Sequence, residues 1–224
     1  MNLSQYLQEN EYFNYSHPSI QSLISSIEEP DPYQKIIAAY YLIRDNIAYN
    51  PYTFSDGVEA LKASYAATHD SAYCIPKSAL LVAVSRALGI PARIGLGDVR
   101  NHLSSPKLID WLKTDLFVMH GYAEIYMHDK WVKCTPVFNH TLCEKFNIQP
   151  LNFDGKSDSL FHSFTQSGDK HMEYVTDHGS FAEMPVEKIF DAVSQAYPHI
   201  SLFNQSYSDA TNRPASLEAE ITKI

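Results

Sequence analysis

The chain has 224 residues, with 17 Lys and Arg against 26 Asp and Glu, for a formal charge of −9 with ten neutral histidines. That balance argues against electrostatic binding to nucleic acid or an anionic membrane. A hydrophobic fraction of 45% with 19% charged residues excludes disorder throughout. The three cysteines, Cys74, Cys134 and Cys143, are too few and odd in number for a disulfide framework and fit a reducing compartment.

The first residues carry Gln5, Gln8, Glu9, Asn10 and Glu11, where a secretory signal needs a basic flank and an unbroken apolar stretch. The longest apolar run, 79–88, is interrupted by Ser85 and Arg86 and is far shorter than the roughly 20 residues a bilayer span requires. A soluble, cytoplasmic protein is expected.

The first third reads as helical. Asp31 and Pro32 form an N-cap and first-turn pair, and Ile36, Ile37, Tyr40, Tyr41 and Ile43 recur at helical spacing as far as Ile47. Shorter helices are expected over 19–29 and 57–67, the second leading through the polar Thr68-His69-Asp70-Ser71 loop to Cys74. From Pro76 to Leu88 the chain is apolar on most sides, as in a helix packed inside a protein, and Gly89 and Pro91 end it. Strands are expected over 92–98, 117–127 and 131–136, the last two joined by His128-Asp129-Lys130. Helices followed by an antiparallel sheet make an α+β domain. Beyond Asn139 come turn signals at Asp154-Gly155, Ser167-Gly168 and His178-Gly179, then an amphipathic helix over 186–196 with Ile189, Phe190 and Val193 on one face. The expected organisation is one domain over 1–205, with a core at about 35–140, an elaboration at 141–205 and a polar tail at 206–224 that is loosely held or a short surface helix.

Cys74 lies just before Pro76, so a helix beginning there places its sulfur among unpaired N–H groups at the positive end of the macrodipole. That position lowers a thiol pKa and favours the reactive thiolate. A thiolate nucleophile needs an imidazole to pair with it and protonate the leaving group. His120 is the candidate, sharing one strand face with Tyr122, Glu124 and Tyr126.

Taken in order, Tyr73-Cys74, then Arg86-Ala87-Leu88-Gly89-Ile90-Pro91-Ala92-Arg93, then His120-Gly121-Tyr122-Ala123-Glu124, then Trp131-Val132-Lys133-Cys134-Thr135-Pro136 resemble the transglutaminase-like superfamily. The resemblance implies a papain-like fold, with N-terminal helices and the nucleophile helix packed on an antiparallel β-sheet, Cys74 as nucleophile and His120 as base. The family's Asp, four residues after the Trp, falls on Thr135 here. Three residues compete to orient the ring instead: Asn139, Asp98 at the end of its strand, and Thr135 through its hydroxyl. Each is alternatively a turn or strand-end residue serving the local backbone.

The chemistry implied is acyl transfer through a Cys74 thioester, with water making a protease or amidase and an amine making a transglutaminase. The alternative is a degenerate member of the superfamily that binds a protein or peptide without catalysis. Tyr73 and Tyr122 flank the presumed cleft, and Arg100, Asn101 and His102 follow Asp98 where a substrate-binding loop commonly sits. Asp154, near Asp158, and the Glu173-Tyr174 and Asp177-His178-Gly179 groups either fold over the cleft or are ordinary turns. Neither the cysteines nor the histidines are paired at zinc-site spacing, so no metal and no cofactor are expected. The expected partner is a peptide, protein or small amide substrate, with neither nucleic acid nor membrane.

Overall fold

The computed structural model describes residues 2–102, 104–160, 168, 171–200 and 216–221. Helix α1 spans Pro18–Ser25, and α2 spans Pro32–Asn46, where the Asp31 carboxylate accepts from the Gln34 N–H at 3.0 Å as an N-cap. The helix expected over 57–67 is divided. A 3₁₀ turn, Val58–Leu61, is followed by extended Lys62 and then α3, Ala63–Thr68, whose first N–H donates to the Tyr12 carbonyl at 2.8 Å. Two short parallel strands, β1 (Ala48–Tyr49) and β2 (Ser71–Ala72), deliver the chain to α4, Cys74–Ala87.

Helix α4 begins at Cys74 itself, and every residue from Cys74 to Arg86 is buried. Pro76 stands in its first turn, where a missing N–H costs nothing. Gly89, at φ +76°, ends it: the Ile90 N–H reaches back to the Ser85 carbonyl and the Gly89 N–H to that of Arg86, both at 3.0 Å. An apolar helix buried on all sides still carries two cations. Lys77 donates to the carbonyls of Arg44, Ile47 and Val137 at 3.0, 2.5 and 2.8 Å, capping the C-terminal end of α2. Arg86 donates to the carbonyls of Ala92, Gln8 and Ala182 at 2.9, 2.7 and 2.7 Å, with its guanidinium over the Phe13 ring. Each cation thus satisfies carbonyls from separate parts of the chain and ties them to α4.

The main sheet has the order β5-β4-β3-β6 and is antiparallel, with β3 Ala92–Asn101, β4 Leu116–Met127, β5 Lys130–Cys134 and β6 Met172–Phe181. Helix α4 packs on β3 and β4, giving the α+β, papain-like arrangement. Gly121 of β4 sets how close the two come, because a Cβ there would meet the Ile75 Cα at 3.0 Å. The Ser78 hydroxyl donates to the Gly121 carbonyl at 3.1 Å across the same contact.

Strand β3 runs on through Asn101, so Arg100 and Asn101 belong to a strand rather than to the expected loop. Its partner β6 covers the stretch read as turns. Two further helices without a strong sequence period are α5, Pro106–Leu112, capped by Ser105, and α6, His140–Phe146. Helix α7, Val186–Ala196, buries Ile189, Phe190 and Val193 as its pattern predicts. The described part of the polar tail forms α8, Leu217–Glu220, and it is docked: Leu217 is buried, and Glu220 accepts from Tyr52 and Ser105 at 2.9 and 2.7 Å. The rest of that tail lies outside the described residues. Among the described residues no helix is long and apolar enough to cross a membrane.

Replacing Lys77 with Met would leave three buried carbonyls without a donor. It is expected to lower stability by about 2–4 kcal/mol, read as a drop in the urea midpoint at constant m.

Candidate active site

Cys74 is the first residue of α4 and His120 lies near the start of β4; both are buried and line one cavity. The backbone N–H groups of Gly121, Ile75 and Cys74 itself favour the Cys74 thiolate, as a helix N-terminus should. Burial outweighs them and pushes the thiol up to about 11. Burial alone pushes the His120 imidazole down to about 4. Burial thus works against the expected thiolate–imidazolium pair and favours a neutral thiol and a neutral ring.

The strand carrying His120 is irregular just before it. Gly97 pairs with His120 and Val99 with Phe117, so Asp98 stands opposite two residues, Val118 and Met119. Met119 takes φ +57°, the signature of a β-bulge that re-aims the following side chain. Asp98 Oδ1 accepts from the Met119 N–H at 3.1 Å and pairs with His178 Nε2 at 2.8 Å. Asp98 thus reaches His120 through the backbone of its neighbour, and its ring partner is His178.

Asn139 is likewise engaged away from the ring. Its Oδ1 accepts from the Tyr49 N–H at 3.0 Å and its Nδ2 donates to Thr141 at 2.7 Å, so it fixes β1 near the start of α6. Thr135 is the candidate that the structure brings together with His120. Both line a second, small cavity with Val137, Phe138 and Leu151, and the Thr135 hydroxyl is buried with no hydrogen-bond partner among the described residues.

Of the proposed substrate contacts, Tyr73 lines the Cys74 cavity. Tyr122 shares the His120 face of β4 but lies farther along it, where its hydroxyl is 3.4 Å from Asp177 and from Lys133, beside the Arg93–Glu124 pair at 2.5 Å. Arg100 pairs with Asp115 at 3.6 Å and His102 with Glu173 at 3.5 Å, both at the far end of β3. Asp154 is exposed and accepts from the N–H groups of Lys156 and Ser157 at 2.8 Å, which holds its carboxyl below the usual range in an Asx turn. None of these four lines the cavity. Tyr174, from the Glu173-Tyr174 group expected either to fold over the cleft or to form a turn, lies in β6 with its ring centroid 6.4 Å from that of His120. Its signal was the Gly95-Leu96-Gly97 sequence: a Cβ at Gly95 or Gly97 would enter the Tyr122 or Tyr174 ring, at 2.1 and 2.7 Å.

The family model of the transglutaminase-like superfamily matches residues 21–136, more than half of the chain, and spans both Cys74 and His120. The chain belongs to the transglutaminase-like superfamily. No curated protein matches it. It is similar to a crystal structure of a "Putative Cysteine Protease" from Cytophaga hutchinsonii, at 20% identity and a TM-score of 0.43, over 60% of this chain and 41% of that one. Thr135, on which the resemblance places the family's Asp, lines the second cavity together with His120.

Two measurements check the electrostatics. Alkylation of Cys74 by iodoacetamide, followed by peptide mass, is expected to rise about tenfold per pH unit through pH 10 without a plateau, and His120→Ala is expected to leave that slope unchanged. A plateau reached below pH 8 and lost in His120→Ala would restore the ion pair. Between pH 6.5 and 4 the unfolded chain protonates His120 while the folded chain does not, so stability falls as pH drops across that window. Wild type is expected to lose about 3 kcal/mol more than His120→Gln over the same range.

Proposed function

We propose that the chain is a thiol enzyme of the acyl-transfer or amide-hydrolysis type, working in a reducing compartment such as the cytoplasm. The observation that carries the reading is Cys74 at the first position of a buried helix, with His120 on the wall of the same cavity. The three free, buried cysteines support the reducing compartment.

Because the resting pair is neutral, His120 acts as a general base at the moment of attack. It takes the thiol proton as the Cys74 sulfur bonds to the carbonyl carbon, and passes it to the departing amine or alcohol. The Cys74 N–H is placed to donate to the oxygen that becomes negative. Water or an amine then releases the acyl group from the thioester. Thr135, on which the resemblance places the family's carboxylate, shares a small cavity with the ring and brings it no counter-charge.

A peptide-binding module without catalysis is favoured by one observation: no charged group contributes to the His120 shift. Reaction with p-nitrophenyl esters separates the two readings. An acyl-enzyme burst is expected for wild type, with none in Cys74→Ala and at least a hundredfold slower acylation in His120→Ala. An equal release rate in wild type and Cys74→Ala would leave the binding module. Thr135→Asp is expected to lower the pH at which Cys74 becomes alkylated by about one unit or more, since a carboxylate beside the ring favours imidazolium. An unshifted profile would remove Thr135 from the site.

A further inference from the structure

The cavity beside Cys74 opens to solvent and encloses about 660 Å³ of empty space when its mouth is included. Its walls come from distant parts of the chain: Phe54 from the turn after β1, Trp111 from α5, Phe117 from β4, and Val193 and Tyr197 from α7 and its end. The rings interlock around Phe54, whose centroid lies 5.2 Å from Trp111, 6.4 Å from Tyr73 and 6.2 Å from Tyr197. No Lys, Arg, Asp or Glu is among the lining residues. The Tyr197 hydroxyl is already committed, donating to the Leu116 carbonyl at 2.8 Å and accepting from the Val118 N–H at 3.0 Å. Cys74 and His120 stand at the polar end of an otherwise aromatic and aliphatic chamber.

A primary carboxamide such as the end of a glutamine side chain would lose its water in that chamber and meet few partners beyond the two reacting groups. An apolar ring would instead replace water against ring faces and edges at the spacings aromatic pairs prefer. We propose that the acyl group accepted by Cys74 is apolar and of ring size, as in an arylacetyl amide or ester, and that the site selects against short or polar acyl groups. This rests on the acyl-transfer reading above. In the reaction with an ester, the bond from the Cys74 sulfur to the acyl carbon forms as the carbon–oxygen bond breaks, and the thiol proton travels through His120 to the leaving oxygen. Water then adds to the thioester carbon as the carbon–sulfur bond breaks, the sulfur recovers a proton, and the arylacetic acid departs.

The test compares acylation of the intact protein by p-nitrophenyl phenylacetate and p-nitrophenyl acetate, each rate divided by that with free N-acetylcysteine. A normalised ratio of tenfold or more is expected, the range set by apolar pockets for added carbon; a smaller ratio overturns the proposal. Val193→Phe, which narrows the chamber, is expected to reduce that ratio at least threefold, and the wild-type comparison stands whether or not this variant folds. A second arm needs no acyl transfer. In Cys74→Ala, phenylacetamide is expected to change the fluorescence of Trp111 at concentrations at least tenfold below those needed for acetamide or N-acetylglutamine amide. If no ester acylates Cys74 but phenylacetamide still binds selectively, the catalytic reading fails while the apolar site stands. If acylation occurs without selectivity, the opposite holds. Equal binding of the three amides overturns the site.

Discussion

Everything at the site depends on α4 being buried along its whole length, held by cations that satisfy carbonyls no other element supplies. Lys77 closes the end of α2 and reaches the segment after β5, while Arg86 joins the start of β3 to the N-terminal strap and to the end of β6. A helix with no exposed face cannot slide or roll without breaking these bonds. Gly121 then fixes the distance from the helix N-terminus to β4, since any side chain there would meet the backbone of Ile75. The nucleophile is positioned by this clamp, and the clamp also sets its electrostatics. The burial that immobilises Cys74 pushes its thiol up more than the N–H groups of the helix start bring it down.

His120 sits in a different setting, next to a local fault in the sheet. Strand β3 pairs with β4 on one side and β6 on the other, and both ladders slip around Gly97, Asp98 and Val99. The slip leaves Asp98 free to accept the N–H of Met119, whose left-handed backbone turns the chain immediately before His120. His178 comes from the bulged part of β6 and completes the pair with Asp98. From the Gly97–His120 pair onward the ladder is regular, so His120 shares the face of Tyr122 and Glu124, and its ring borders both the Cys74 cavity and the Thr135 cavity.

Local signals account for what could be read in the sequence. The cap at Asp31, the unbroken apolar character of 76–88 and the single apolar face of 186–196 each specify an element without reference to anything distant, and all three are present. Strand β6 was missed because it is a polar edge strand, with Glu173, Thr176, Asp177 and His178 where a half-buried strand would alternate. Helices α5 and α6 have only seven residues each, too few to display a period. Cys74, His120 and the odd Thr135 were legible through order and spacing within about sixty residues. The chamber walls were not, because Phe54, Trp111 and Tyr197 meet only after the chain has folded. The ionisation state was not legible either: a helix N-terminus is visible in a sequence, but the depth at which it is buried is not.

Thr135 and the neutral pair are two sides of one constraint. A carboxylate in that small, apolar cavity would have to be desolvated, and it would recover that cost only through an imidazolium beside it. The imidazolium would in turn have to be matched by a thiolate on Cys74. The cavity holds Val137, Phe138 and Leu151 around the Thr135 hydroxyl, so it offers no other compensation. Threonine fills the position at the smaller cost of one unpaired hydroxyl. In the acyl transfer proposed above, the charges that the superfamily's carboxylate would hold in the resting state would arise only during attack, shared among the sulfur, the ring and the carbonyl oxygen.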